Sequence, residues 1–243
     1  MEESVYPQMY RVEKEQWWFA ARLTILLHFL ATRVHASPQT RVLDVGCGTG
    51  AILEEFSRRY KAFGIDPSLQ AVEFCRQRGL TNVWAGLLAD YPQDKPFDLI
   101  TMLDVVEHVE DDRGLLMEAR RRLAPGGHLL IAVPAFQWLW SHHDVVLHHR
   151  RRYTRATLTP AVTGAGFVVE HMTYFNTLLF PIAVGRRFVQ KLTGSETMDH
   201  LTIPPPAVNR VLQKLFAMET PLLPSYSLPF GLSLLCLARN PGP

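Results

Sequence analysis

The stretch Arg41-Val-Leu-Asp44-Val-Gly46-Cys47-Gly48-Thr49-Gly50, followed by Gly64-Ile-Asp66, decides the fold. An apolar run enters a turn with three alternating glycines, a helical pattern starts at Ala51, and a second apolar run ends in a lone carboxylate. Glycine tolerates the left-handed backbone such a turn needs and lets a ligand approach the main chain closely. The acid, about twenty residues after Gly46, stands where a nucleotide-binding βαβ half grips ribose hydroxyls.

Asp44 bears on which nucleotide binds. A dinucleotide would bring its pyrophosphate to this turn, where a carboxylate repels it. S-adenosylmethionine brings a cationic amino-acid tail, which a carboxylate attracts. Residues 46–51 also satisfy the looser G-x-G-x-x-A dinucleotide pattern, so an NAD-binding reductase stays open as an alternative. Against it, the second half of the sheet does not read as another nucleotide-binding repeat. A third class is a protein that binds S-adenosylmethionine without transferring methyl.

With 243 residues, 47% of them hydrophobic, the chain can build one sizeable core with some surplus. A net charge of +2 supplies no basic field for nucleic acid. The positive charge is clustered, at Arg120–Arg122 and Arg150–Arg152. Cys47, Cys75 and Cys236 have no metal-like spacing, a usage that fits a reducing, cytoplasmic setting. The acidic start at residues 1–4 does not read as a signal peptide. The apolar runs at 173–185 and 228–238 are shorter than the roughly 20 residues that span a bilayer.

Periodicity predicts a helix over 13–34, then alternation. Strands are expected at 41–45, 62–65, 82–85, 97–103, 128–133, 167–174 and 232–239, and helices at 51–59, 69–77, 113–123 and 156–165. Residues 134–155 form an aromatic, basic insertion. Residues 176–229 leave the sheet with two helices, 178–192 and 208–219, around a proline break at 202–206.

With these residues in place, the chain resembles a class I S-adenosylmethionine-dependent methyltransferase over about 41–174. Within that superfamily, Trp17-Trp18-Phe19-Ala-Ala-Arg22, Asp104-Val-Val-Glu107-His108 and His149-Arg-Arg151-Arg152-Tyr153 resemble a bacterial small-molecule subgroup (type 11/12-like). The resemblance implies an α/β, Rossmann-like, doubly wound sheet of seven strands with an antiparallel last strand. It also implies one domain over 1–243. Its parts would be an N-terminal helical lid (1–36), a cofactor-binding core (37–174), a helical excursion between the last two strands (175–229), and the last strand with a tail (230–243). S-adenosyl-L-methionine is the expected cofactor. Asp44, Gly46, Cys47, Gly48 and Gly50 would surround its methionine portion, Asp66 and Pro67 its ribose, and Asp104 its sulfonium end. Trp18 and Arg22 would close over it, the guanidinium pairing with the methionine carboxylate. Relatives often carry Gly-Asp at the adenine; here Gly86 is followed by Leu87, so that contact falls to backbone or to Asp90.

Methyl transfer to an oxygen, or to a nitrogen or carbon, of a small molecule asks the protein for positioning and sometimes a base. His108, His143 and His149 are the candidate bases. His143, Asp144 and His149 are also residue types that bind divalent metals, although no metal is assigned to the chain. Asp144, Arg151, Arg152 and Tyr153 are candidate substrate contacts. The guanidinium forks suit an anionic group, and equally suit internal salt bridges to acids such as Asp144 or Glu170. The expected partner is a small molecule rather than nucleic acid, for residues 104–107 replace the Asn-Pro-Pro-Tyr-like turn of base-modifying relatives. The excursion, with Arg186, Arg187, Lys191 and Lys214, fits an apolar roof for a large hydrophobic or lipid-linked substrate, resting on a membrane surface. It equally fits helices packed on the sheet or on a second copy, as in a homodimer.

Overall fold

The computed structural model describes residues 5–92, 95–193 and 201–242, with side chains left undescribed at 190–193. The acidic start at 1–4 and the side chain of Lys191 therefore lie outside the described residues.

Two helices precede the sheet, α1 (Val5–Val12) and α2 (Trp17–Arg33). The sequence predicts one helix over 13–34, and the chain instead breaks between the two. Gln16 ends the break as the N-cap of α2, its side-chain oxygen accepting from the Trp18 amide at 2.8 Å. Alternation then follows: β1 (Arg41–Val45), α3 (Ala51–Ser57), β2 (Lys61–Asp66), α4 (Leu69–Gln77), β3 (Val83–Ala85), β4 (Phe97–Leu103), α5 (Asp112–Arg122) and β5 (Leu123–Pro134). The insertion carries the short helix α6 (His142–Val146). After it come α7 (Arg155–Gly164), β6 (Val168–Phe175), α8 (Phe180–Thr193), α9 (Pro206–Ala217) and β7 (Ser233–Arg239).

The sheet has seven strands in the order β3-β2-β1-β4-β5-β7-β6. β7 runs antiparallel between β5 and β6, pairing Ile131 with Cys236 and Met172 with Cys236. The doubly wound sheet with an antiparallel last strand is thus as the sequence implies. Alternate residues of each strand feed two cores. Leu43, Ile100, Leu129 and Ile131 pack with Leu116 of α5 and Leu158 and Val162 of α7. Val42, Leu99, Leu130 and Leu235 pack on the other face with Phe29 and Leu30 of α2, Phe56 of α3 and Phe216 of α9. Helices on both faces explain why the central strands read as near-continuous apolar runs.

The parallel strands deliver their C-terminal ends to one edge, where ligands of open α/β sheets bind. Three non-glycine residues there have left-handed backbone: Asp104 after β4 (φ 58°), Phe136 after β5 (φ 58°) and Asn176 after β6 (φ 61°). For a bulky Phe this is strained, and such strain concentrates at functional edges.

Candidate active site

The half of the edge around the glycine turn is built mainly from backbone. Gly46 has φ 69°, and a Cβ added there would lie 2.5 Å from Val105 Cγ2. The amides of Gly46 and Cys47 both donate to the Ile65 carbonyl, tying the turn to β2. Asp66 accepts from the Gly48 amide at 2.9 Å with one oxygen and from the Ser68 amide at 2.9 Å with the other. Burial raises its pKa despite these bonds. Pro67 follows directly, and β3 ends beside Asp66, with the Gly86 amide donating to its carbonyl at 3.0 Å. That places Leu87 on the rim next to Asp66, largely exposed.

Asp44 is buried under the turn and accepts from Thr101 Oγ1 at 2.6 Å. Burial pushes its carboxyl up to about 7, against opposing influences from Thr101 and the nearby Arg22 cation. Arg22, on the buried face of α2, pairs with Asp104 at 2.6 Å and lies over the Trp18 ring at 4.8 Å. Its Nε and Nη2 are buried without a partner. The turn is also strapped from α1. Glu13 accepts from Thr49 Oγ1 and pairs with Arg78, whose Nε donates to the Thr49 carbonyl at 2.7 Å and whose guanidinium lies over Tyr10. Sequence reasoning missed this strap, because Glu13, Thr49 and Arg78 come from three unrelated segments.

The other half of the edge is built from side chains. Glu107 and His108 sit in a short turn after β4 (Val106–His108), and the insertion folds back over it. Asp144 is fully buried. It accepts from Arg152 through both oxygens (2.7 and 3.0 Å) and bonds His149 Nδ1 at 2.8 Å. His149 and Arg152 hold Asp144 well below the usual carboxylate range against the cost of burial. Glu107 is fully buried, with Oε1 4.0 Å from His149 Nε2, and neither of its oxygens has a partner. Burial, reinforced by Asp104, raises its pKa well above the ordinary value. The His108 ring meets the His149 ring edge-on, 4.7 Å between centroids. Burial, then the neighbouring His149, lowers the His108 pKa to about 4, so the imidazole is neutral at pH 7. His143 lies 6.1 Å from His149, centroid to centroid, outside this tighter set.

The arginines expected to greet a substrate are committed inside the chain. Arg151 reaches Asp112 at 3.2 Å and the carbonyls of Val109 and Glu110. Arg152 is locked on Asp144 and the Ala135 carbonyl. Tyr153 is buried and donates to Asp112 at 2.7 Å. The expectation of a free anion clamp is corrected accordingly: fully buried Asp144 and partly buried Asp112 turn these donors inward. Of the alternatives open in the sequence, the internal salt bridge describes Arg152.

Other residues of the edge carry little local signal. Asn176 is fully buried with both amide atoms unpartnered, and Glu219 beneath it accepts from the Thr177 and Leu178 amides. Phe136 stacks on Tyr174 at 4.9 Å, and Trp138, Phe180 and Phe230 extend an aromatic wall outward. Buried unpartnered polar atoms are rare in folded chains and call for explanation. Arg22, Glu107, His149 and Asn176 all present them here. The unused guanidinium nitrogens of Arg22, the carboxylate Asp44 and a turn with no room for a Cβ fit a small ligand bearing both an ammonium and a carboxylate.

The family model described as a methyltransferase domain matches residues 18–172. An ubiquinone biosynthesis O-methyltransferase of Alkalilimnicola ehrlichii is 35% identical over 102 residues, covering 38% of this chain and 40% of the relative. A probable S-adenosylmethionine-dependent methyltransferase of Mycolicibacterium smegmatis is 30% identical over 164 residues, 65% of this chain and 62% of the relative. The chain thus spans between 40% and 62% of the length of these curated relatives. Among solved structures, an S-adenosylmethionine-dependent methyltransferase from Archaeoglobus fulgidus superposes with TM-score 0.59 at 20% identity, covering 95% of this chain and 99% of that one. The N-methyltransferase NodS from Bradyrhizobium japonicum, solved with S-adenosyl-L-homocysteine, gives TM-score 0.56 at 17% identity, covering 92% and 88%. At these identities the structures establish the fold.

Proposed function

This chain belongs to the class I S-adenosylmethionine-dependent methyltransferases, and from that premise we propose that it transfers a methyl group to an oxygen of a small, partly hydrophobic molecule. The observation that carries the proposal is the convergence of the glycine turn, Asp66 and the Arg22–Asp104 pair on one edge of the sheet. S-adenosylmethionine supplies an electrophilic methyl on a sulfonium when bound. The chain's part is to hold and orient. Asp44, Trp18, Arg22 and the turn Gly46, Cys47, Gly48 and Gly50 take the methionine portion, Asp66 and Pro67 the ribose, and Leu87 the adenine. Asp104 faces the reactive end.

Oxygen is favoured as acceptor atom by the proton-handling groups beside Asp104, and by relatives named as O-methyltransferases. His149, oriented through Nδ1 by Asp144, is the leading proton acceptor. His108 and His143 flank it. The aromatic wall of Phe136, Trp138, Phe180 and Phe230 suits a hydrophobic portion of the acceptor. Asp144, clamped by Arg152, aims His149, while Arg151 and Tyr153 fasten the insertion to Asp112.

In this proposal lid, core, excursion and last strand work as one catalytic unit, and the buried free cysteines suit a cytoplasmic setting. Among the described residues no helix is long and apolar enough to cross a membrane. Exposed Ile182 and Phe188 on α8 and Val208 and Val211 on α9 offer a face for membrane contact, which liposome flotation would check. The main test is a calorimetric titration with S-adenosylmethionine, S-adenosylhomocysteine and NADH. Micromolar binding of the sulfur nucleosides alone is expected. Binding of NADH instead, or of none, overturns the proposal.

A further inference from the structure

We propose that Glu107, His108 and His149 bind one divalent cation, zinc(II) by the chemistry of the donors. One ligand atom from each residue lies within 4.8 Å of the others. Both Glu107 oxygens and His149 Nε2 are buried and without a hydrogen-bond partner, and Oε1 lies 4.0 Å from Nε2. A fully buried carboxylate that accepts nothing is disfavoured unless a cation or proton answers it. The surroundings are those of a metal site's outer shell. His149 Nδ1 is held by Asp144, which Arg152 clamps through both oxygens. His108 bonds the backbone of His148. Such partners fix the imidazole tautomer and aim the remaining nitrogen at the metal.

Two imidazole nitrogens and one carboxylate oxygen, with a coordination position left over, form the donor set of catalytic zinc sites. Magnesium prefers all-oxygen ligands and its own waters, which the two nitrogens disfavour. Bonds of about 2.0–2.1 Å require the three donors to draw together by about 1 Å. The site rests on, and deepens, the methyl-transfer proposal: a cation there would hold an acceptor oxygen beside Asp104 and acidify it. In that state His149 is a ligand, and the proton goes to solvent rather than to its ring.

The test uses untagged protein, stripped with a chelator and titrated calorimetrically with zinc chloride. S-adenosylmethionine is titrated into the same samples as a check of folding and of the cofactor site. One zinc per chain is expected, bound at least about 100-fold more weakly by His149→Ala and at least about 10-fold more weakly by Glu107→Gln. Nucleoside affinity should stay within about threefold in both. No stoichiometric zinc in the wild type, or unchanged zinc affinity in both variants, overturns the site. Should the variants not fold, cobalt(II) in the wild type serves instead: visible d–d bands of a nitrogen–oxygen site support the proposal, and their absence overturns it. Nucleoside binding without zinc removes the cation and returns His149 to the role of base. Zinc binding without nucleoside binding keeps the cation site and removes the methyl-transfer proposal.

Discussion

The two halves of the sheet edge are built by different means. On the side proposed for the cofactor, main-chain groups do most of the work: glycines with left-handed backbone, amides of Gly48 and Ser68 aimed at Asp66, and the start of α3 behind the turn. On the side proposed for the acceptor the work falls to side chains brought together from the turn after β4, the insertion and the end of β6. There Asp144, His149 and Arg152 interlock, with Glu107 buried against them. Backbone sites tolerate change in exposed side chains and fail at single glycines. Side-chain networks fail at any member, since removing one leaves another buried and charged.

The largest effect expected from this contrast is on stability. Asp144→Ala strands Arg152 and His149 in the interior and should cost about 3–5 kcal/mol in chemical denaturation. A loss below 1 kcal/mol would mean that the acceptor half is not an interlocked unit. Acid should expose the same dependence. The depressed Asp144 contributes stability above the ordinary carboxylate range, and that contribution is lost as pH falls below it.

Next in size is Gly46→Ala, which places a Cβ against Val105 at a left-handed position. Nucleoside affinity should drop by about 100-fold, of order 2.7 kcal/mol, with smaller loss of stability. Asp44 gives a finer probe. With its carboxyl at about 7, the ionised form that attracts an ammonium is depleted below that pH. Nucleoside affinity should therefore fall up to about tenfold per unit as pH drops below 7, and Asp44→Asn should flatten the slope. In the ligand-free chain the sign reverses: the raised pKa favours folding below about 4, an advantage lost as pH rises through 7. The smallest effect belongs to Arg150→Gln, whose half-exposed side chain meets Glu110 at the surface. Stability should change by no more than about 0.5 kcal/mol, and a larger loss would enlarge the acceptor network.

How much of this was legible follows the same division. Asp44, Gly46, Gly48, Gly50, Asp66 and Asp104 sit at strand ends, where hydrophobic periodicity and glycine spacing locate them without any long-range contact. Glu107 and His108 are conspicuous in the sequence, yet whether they face solvent or one another is not encoded locally. Arg151 and Arg152 looked alike, and only the fold separates the buried fork on Asp144 from the half-buried one on Asp112. The break before α2 was hidden because Glu13 leaves the helical pattern for partners at positions 49 and 78.

The antiparallel last strand was implied only by the resemblance to a family; by itself the sequence determined the doubly wound sheet and the place of the glycine turn. Those features depend on strand and helix periods and on glycine's missing side chain, properties of neighbouring residues. Tertiary structure alone decided which acids are buried, which arginines are spent on them and which atoms of Arg22, Glu107, His149 and Asn176 are left for a ligand. Burial and pairing depend on groups far apart along the chain. Their energies, set by desolvation and by who stands opposite, exist only once the sheet has gathered them at one edge.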